Sequence, residues 1–382
     1  MRIGFYHKSL WPKYKGAIFS FVYELSRKSN MNVTFVHVAE TDEIRLALGG
    51  VDLTYHKYPF RVLIRGSYED SSTLLRIGAL ARDVMKHPVD LIVLPGYDRI
   101  ENWAMLLVCI LLGRKRAVFC DSTVYDNPQV RWKGWAKRFF FARCDGIIGY
   151  GQRTKEYLVQ LGASEANIVV PCVAPALPHD YDASKVLAQY GRQSGTTFDP
   201  PRFLYVGRLA PEKGLLDLLG AFAVVRAKMP GAHLDVIGEG GLRAALVDCL
   251  RELGLADAVT LRGTMSLGDI VPQYSSSVAL VLPSHREPWG LVANESLSYG
   301  CPVVVSDRCG CGPELVIDGV TGYVFAAGDV EALTAAMLKV AGLSVDRAAT
   351  AEQCINVASK LTPERAAARM LEGCTRIFAA GK

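Results

Sequence analysis

Phe203-Leu204-Tyr205-Val206-Gly207-Arg208-Leu209-Ala210-Pro211-Glu212-Lys213-Gly214 runs from an apolar strand, through a glycine turn with two cations, to the start of a helix. Four consecutive apolar residues suit a strand covered on both faces, as in a parallel sheet. Arg208 then lies at the strand's carboxyl end and Lys213 at the opening of the next helix, where free N–H groups already favour anions. Arginine offers a planar fork for phosphate oxygens and lysine a compact charge. The order Lys213-Gly214-Leu215 excludes a Walker motif, which needs Ser or Thr after the lysine. Alone, the segment also reads as two solvated cations on a loop.

The same alternation extends outward in both directions. Apolar runs at 2–7, 33–37, 91–95, 117–120 and 146–150 read as strands, with helical patterns at 16–29, 71–86, 101–112, 131–143 and 152–161. Further strands fall at 203–206, 234–238, 259–261, 278–283, 303–306 and 323–325, with helices near 214–228, 241–254, 291–299 and 329–341. Such alternation predicts doubly wound parallel sheets. It breaks between about 175 and 201, a stretch with Pro178, Gly191, Gly195, Pro200 and Pro201. The expected division is a first domain over 1–177, a linker over 178–201 and a second domain over 202–358. Thr362-Pro363-Glu364-Arg365 starts a last helix, 362–380, expected to join the first domain.

Composition narrows the class. A chain of 382 residues, 50% hydrophobic and 21% charged, supports two folded cores rather than disorder. A net charge of +5 fits a small anionic ligand or surface and is too weak for nucleic acid. Met1-Arg2-Ile3-Gly4-Phe5-Tyr6 reads as a strand, not a leader, so a cytoplasmic location is expected, extending to the inner face of the plasma membrane. The apolar run 103–113 is too short to span a bilayer and reads as a buried helix. The ten cysteines are scattered, and Cys309-Gly310-Cys311 lacks the flanking ligands of a zinc site.

A second segment complements the first. Ser284-His285-Arg286-Glu287-Pro288-Trp289 follows a strand, and the helix after it should begin near Gly290, because a residue before proline avoids helical geometry. Glu287 then precedes the helix and Glu295 lies about one turn inside it. Carboxylates accept hydrogen bonds from sugar hydroxyls, and the N–H groups of Gly290 and Leu291 can hold phosphate oxygens between them. The plainer alternative is an exposed Glu287 and a Glu295 favoured by the helix dipole. Gly238-Glu239-Gly240-Gly241 reads as a tight turn, and Asp180-Tyr181-Asp182 as a solvated turn in the linker.

Taken together, Gly-Arg-Leu-x-Pro-Glu-Lys-Gly from Gly207, Glu-Pro-Trp-Gly-Leu-x-x-x-Glu from Glu287 and Gly-Cys-Pro-Val-Val-Val-Ser-Asp from Gly300 resemble family-4 retaining glycosyltransferases of the bacterial envelope-polysaccharide type. The match is strong over about 200–330 and looser in the first half. The resemblance implies the GT-B fold, two facing Rossmann-like domains with a cleft between them. It also implies transfer of a sugar from a UDP- or GDP-sugar donor to a glycan or lipid-linked acceptor, without metal or cofactor. By position, Arg208 and Lys213 would bind the donor diphosphate, Glu295 the ribose and Glu287 the transferred sugar. Gly290, Leu291 and Val292 would line the donor, Gly263 would border the base, and Gly16 would lie in a loop near the phosphates. Many relatives carry a histidine where this chain has Cys120-Asp121-Ser122; there Asp121 would contact sugar or acceptor. A non-catalytic nucleotide-sugar binder would keep Arg208, Lys213 and Glu295, although Glu287 speaks against it. A dinucleotide oxidoreductase would need a glycine-rich turn after the first strand, where Lys8-Ser9-Leu10-Trp11-Pro12 stands instead.

Arg131-Trp132-Lys133-Gly134-Trp135-Ala136-Lys137-Arg138-Phe139-Phe140-Phe141 combines five aromatics with four cations. Helix 131–143 reads either as a surface helix burying its aromatics on its own sheet or as a peripheral contact with an anionic bilayer.

Overall fold

The computed structural model describes residues 1–43, 50–125, 131–171, 173–192, 200–343 and 346–380. The chain divides into two compact units, Met1–Ala176 with Thr362–Lys382, and Leu177–Leu361.

The first unit carries seven parallel strands: β1 (Arg2–Ser9), β2 (Asn32–Thr41), β3 (Phe60–Ser67), β4 (Leu91–Leu94), β5 (Lys115–Cys120), β6 (Gly146–Gly149) and β7 (Ile168–Val169). Their order is β3-β2-β1-β4-β5-β6-β7. The crossover helices are α1 (Lys13–Lys28), α2 (Thr73–Lys86), α3 (Ile100–Leu111), α4 (Arg131–Ala142) and α5 (Gln152–Gln160). The expected central strands are present because both of their faces are covered, leaving β4 and β6 wholly buried. Strands β3 and β7 escaped the sequence pattern. β3 is an edge strand, only partly covered and interrupted by Arg61 and Arg65; β7 has two residues.

Two helices differ from expectation. The apolar run 103–113 is not a buried helix. α3 turns Met105, Leu106 and Cys109 inward but leaves Leu107 and Leu111 exposed. α4 divides its aromatics, burying Phe140 and Phe141 and exposing Trp135 and Phe139.

The second unit begins with α6 (Ala183–Arg192), a helix inside the stretch that reads as a linker. Its start explains Asp180-Tyr181-Asp182: Asp182 Oδ1 accepts the N–H of Ser184 at 2.9 Å and so caps the helix. Six parallel strands follow, β8 (Arg202–Val206), β9 (His233–Ile237), β10 (Val259–Gly263), β11 (Ala279–Leu282), β12 (Val303–Ser306) and β13 (Gly322–Phe325), in the order β10-β9-β8-β11-β12-β13. Between and after them lie α7 (Leu215–Lys228), α8 (Arg243–Glu252), α9 (Leu267–Ser275), α10 (Leu291–Ser298), α11 (Gly312–Leu315), α12 (Val330–Leu343) and α13 (Arg347–Ala358).

The chain then returns to the first unit as α14 (Pro363–Ala379), capped by Thr362 Oγ1 on the Arg365 N–H at 3.3 Å. α14 packs on α1 and on β5, β6 and β7. The Ile377 side chain occupies the space beside Gly146, where an added Cβ would lie 2.2 Å from it.

Candidate functional site

In the second unit the strand order reverses between β8 and β11, which are hydrogen-bonded neighbours. Connections leave such a point in opposite directions and open a crevice at the carboxyl ends of the strands. The two segments singled out in the sequence are the loops that follow these two strands.

After β8, Gly207 and Arg208 lead into a single 3-10 turn, Pro211–Lys213. Gly214 then adopts φ 66° before α7. A side chain there would meet the carbonyl oxygen of Pro283 at 2.1 Å, so glycine is what lets the two loops touch. The N–H groups of His285 and Arg286 donate to the Glu212 carbonyl at 2.9 and 3.2 Å, fastening the loop after β11 to the turn that carries Lys213. The glycines at 238 and 240 serve the same loop from the other side. Added Cβ atoms would lie 1.8 Å from the Gly207 carbonyl oxygen and 2.4 Å from that of Leu209.

The side chains follow from this scaffold. Lys213 Nζ donates to Glu287 Oε2 at 2.5 Å, with both groups mostly withdrawn from solvent. Arg208 is exposed and donates to Glu212 Oε1 at 2.7 Å, an exposed pair that a stronger anion can displace. Glu287 is held through its backbone, which bridges to Cys309, with the Gly310 N–H donating to its carbonyl at 2.9 Å. Trp289 is buried and donates from Nε1 to Asn294 Oδ1 at 2.7 Å, locking the loop onto α10. Gly290 is the N-cap of α10 at φ 100°, and no side chain caps the helix. The first N–H groups, at Leu291 and Val292, therefore point from an uncapped helix start.

Glu295 lies one turn inside α10. The Tyr274 hydroxyl, from α9, donates to its Oε2 at 3.1 Å. Burial raises the Glu295 carboxyl to about 7, and the Tyr274 hydrogen bond opposes that rise. Tyr274 had no local signal in the sequence, since 21 residues separate it from its partner. Gly263 ends β10 at φ 71°, beside Glu239, which pairs with Arg243 at 2.9 Å. Arg262 is turned away, onto the buried Asp235 at 2.7 Å. Among the described residues no cluster of three or more His, Cys, Asp or Glu is arranged to hold a metal ion, and the nine described cysteines are free thiols.

The first unit has its own reversal point, between β1 and β4. A cavity of about 770 Å³ opens there, lined by Tyr14, Tyr68, Tyr97 and Trp103 with Asp98 and Asp121 among others. Asp121 follows β5 and faces the cavity. Crowding by protein and the Asp98 carboxylate raise its pKa, while Lys15 pulls it down. Gly16 is not in a loop, contrary to expectation. α1 begins three residues earlier, directly after Pro12, and buries Gly16 against His56, whose ring would stand 2.6 Å from an added Cβ. Its missing side chain makes room for that imidazole.

Lys15 was not anticipated. It is 1% exposed, and its Nζ has no hydrogen-bond partner among the described residues. The ammonium lies 4.1 Å from the centre of the Phe119 ring and 4.4 Å from that of Tyr150, both of which line the cavity. Burial lowers it to about 7, against a pull upward from Asp121.

Residues 190–359 match the family model described as Glycosyl transferases group 1. The chain is 30% identical over 253 residues to a glycogen synthase of Mycobacterium tuberculosis, covering 64% of this chain and 60% of that protein. The chain thus spans less than two thirds of that relative's length. Among solved structures, Anabaena HepE in complex with UDP aligns with a TM-score of 0.74 at 18% identity, covering 98% of this chain and 100% of that one. The apo form of the lipopolysaccharide outer core galactosyltransferase WaaB aligns with a TM-score of 0.71 at 17% identity, over 98% and 99%. At such identities the likeness is one of fold: two Rossmann-like parallel-sheet units of the GT-B type.

Proposed function

We propose that the protein is a metal-independent glycosyltransferase that moves a sugar from a UDP- or GDP-sugar to a glycan or lipid-linked acceptor. In this reading it acts with retention, in the cytoplasm, in bacterial polysaccharide synthesis. The observation that carries the proposal is the meeting of Lys213 and Glu287 at the reversal point between β8 and β11. A cation and a carboxylate meet there at the carboxyl ends of two neighbouring strands, beside the uncapped start of α10, which supports a role in holding phosphate and sugar hydroxyls. The family match over 190–359 and the glycosyltransferase names of the relatives support the same chemistry.

Breaking a sugar–phosphate bond puts negative charge on the leaving diphosphate. Arg208, Lys213 and the N–H groups at the start of α10 are fixed donors that stabilise this charge with little reorganisation. Lys213 exchanges part of its bond to Glu287 for phosphate oxygen, and Glu287 is released to hydroxyls of the transferred sugar. Glu295 takes the ribose. A ribose diol binds a carboxylate better than a carboxylic acid, so donor affinity should rise as pH passes upward through about 7. Asp121 and the cavity of the first unit are assigned to the acceptor.

The test is a thermal-shift screen of nucleotide diphosphates and their sugars, followed by an assay for the released nucleotide and the anomeric configuration of the product by NMR. A selective ligand raises the melting temperature. Glu287→Gln should keep donor binding and lose roughly 100-fold or more in turnover. Arg208→Ala should weaken the nucleotide-induced shift, and a chelator should leave the rate unchanged. Donor binding with no transfer to any acceptor would identify a nucleotide-sugar binder instead. Normal turnover by Glu287→Gln would remove Glu287 from the mechanism.

A further inference from the structure

Helices α2 and α3 pack side by side, and α4 joins them through Trp103, whose ring stacks on Phe139 at 6.4 Å and 4°. A helix at a protein surface ordinarily turns charged residues outward. α3 does not. Its only charged side chain, Glu101, is buried and paired with Arg76 at 3.0 Å. Its outward positions are instead Ile100, Leu107, Ile110 and Leu111, with Leu107 at 55% and Leu111 at 76% exposed. On α4, Trp135 is 70% exposed and stacks on the exposed Phe139 at 5.9 Å and 26°. On α2, Leu74, Leu75 and Met85 face outward. Isolated apolar residues at a surface are ordinary; rows of them on three adjoining helices are not.

The three helices themselves expose charge of one sign. The acids of the three helices are Asp83 and Glu101, and both are buried, Asp83 beneath Arg61 at 2.9 Å. Among the described residues the exposed charges carried by or directly following these helices are Arg82, Lys86, Arg138 and Arg143, and the exposed acid just before α3, Asp98, is paired with Arg99 at 3.9 Å. Arg143 lies over the Phe139 ring at 4.8 Å, so its stem covers apolar surface while its charge stays at the rim. No helix among the described residues is long and apolar enough to cross a membrane. Leucine and tryptophan on helices whose own acids are buried, bordered by arginine and lysine, match the two layers of an anionic bilayer surface: acyl chains below, phosphates above.

We infer that the α2–α3–α4 face docks on an anionic lipid bilayer and seats the first unit at its surface. The inference does not depend on sugar transfer, because binding is measured without donor or acceptor. The experiment is sedimentation of the protein with phosphatidylcholine vesicles, with and without phosphatidylglycerol. The protein should sediment with the phosphatidylglycerol vesicles and stay largely in solution with phosphatidylcholine alone. Arg138→Gln with Arg143→Gln should lower partition about 25-fold, from about five-fold per cation near the surface. Leu107→Ser with Leu111→Ser should lower it more than ten-fold, since two apolar side chains lose their burial. Both variants should keep the wild-type melting temperature within a few degrees, which separates lost docking from lost folding. Absence of binding to the anionic vesicles, or unchanged binding by the leucine variant, overturns the inference. So does a concentration-dependent dimer in the ultracentrifuge that the leucine variant abolishes, since a second copy would then be the occupant.

Discussion

Lys15 shows how far a single residue can depart from its ordinary chemistry. Its ammonium is enclosed by rings and has no acceptor among the described residues, so the charged form is penalised and the folded value falls to about 7 from 10.5. Between those two values the unfolded chain holds the extra proton. Stability from this group therefore rises with pH across the window, by about 1.4 kcal/mol per unit, and is flat below it. Lys15→Met keeps the length of the side chain and removes the charge. At about pH 6 the variant should be more stable than the parent by on the order of 1–4 kcal/mol. Denaturant midpoints of the two proteins should converge as pH rises toward about 10. Parallel curves would mean that the ammonium is not buried in solution. None of this was legible in the sequence, because Phe119 and Tyr150 lie more than a hundred residues away. Arg208, Lys213 and Glu287 were legible because each sits in a short loop whose place at a strand end follows from the apolar run before it.

At the scale of elements, the same logic divides what the sequence announced from what it concealed. β8 and β11 stand out as apolar runs since helices cover both of their faces. β3 carries arginines because its outer edge meets water, and α6 was hidden by the prolines and glycines around it. The Gly16 misplacement has a similar origin: Pro12 is the N-cap of α1 and only Leu10 and Trp11 separate it from β1, so the helix has begun before Gly16 is reached. Within the site, the fit between the loops after β8 and β11 depends on Gly214. Gly214→Ala must adopt φ near 66° and would strike the Pro283 carbonyl. A loss of at least about 2 kcal/mol is expected, with a weaker nucleotide-induced shift as Lys213 is displaced. Gly241→Ala, where an added Cβ meets nothing within 4 Å, should be close to neutral in both measurements.

At the scale of the whole molecule, the first unit is built from two stretches of chain far apart in sequence. α14 supplies Ile377 beside Gly146, accepts Lys115 Nζ at the Phe378 carbonyl at 2.6 Å, and sends Arg376 to the Ile168 carbonyl at 2.8 Å. Removing residues 362–382 should therefore leave the second unit folded, with its nucleotide-induced thermal shift intact. The first unit should become susceptible to limited proteolysis at low protease concentration. Equal resistance of both units in the truncated protein would show that α14 is dispensable. The sequence pointed to the helix through Thr362-Pro363, but which surface it covers depends on the small residues Gly146 and Gly373, whose purpose appears only when the helix is in place.

This split imposes an order on biosynthesis. The second unit is a continuous stretch that can close as soon as Leu361 has left the ribosome, whereas the first waits for a helix translated about two hundred residues after most of its sheet. At about 5–20 residues per second the delay is roughly 10–40 s. Throughout it the slot meant for Ile377 lies open, so the half of the molecule made first is the half that nascent-chain chaperones have longest to meet.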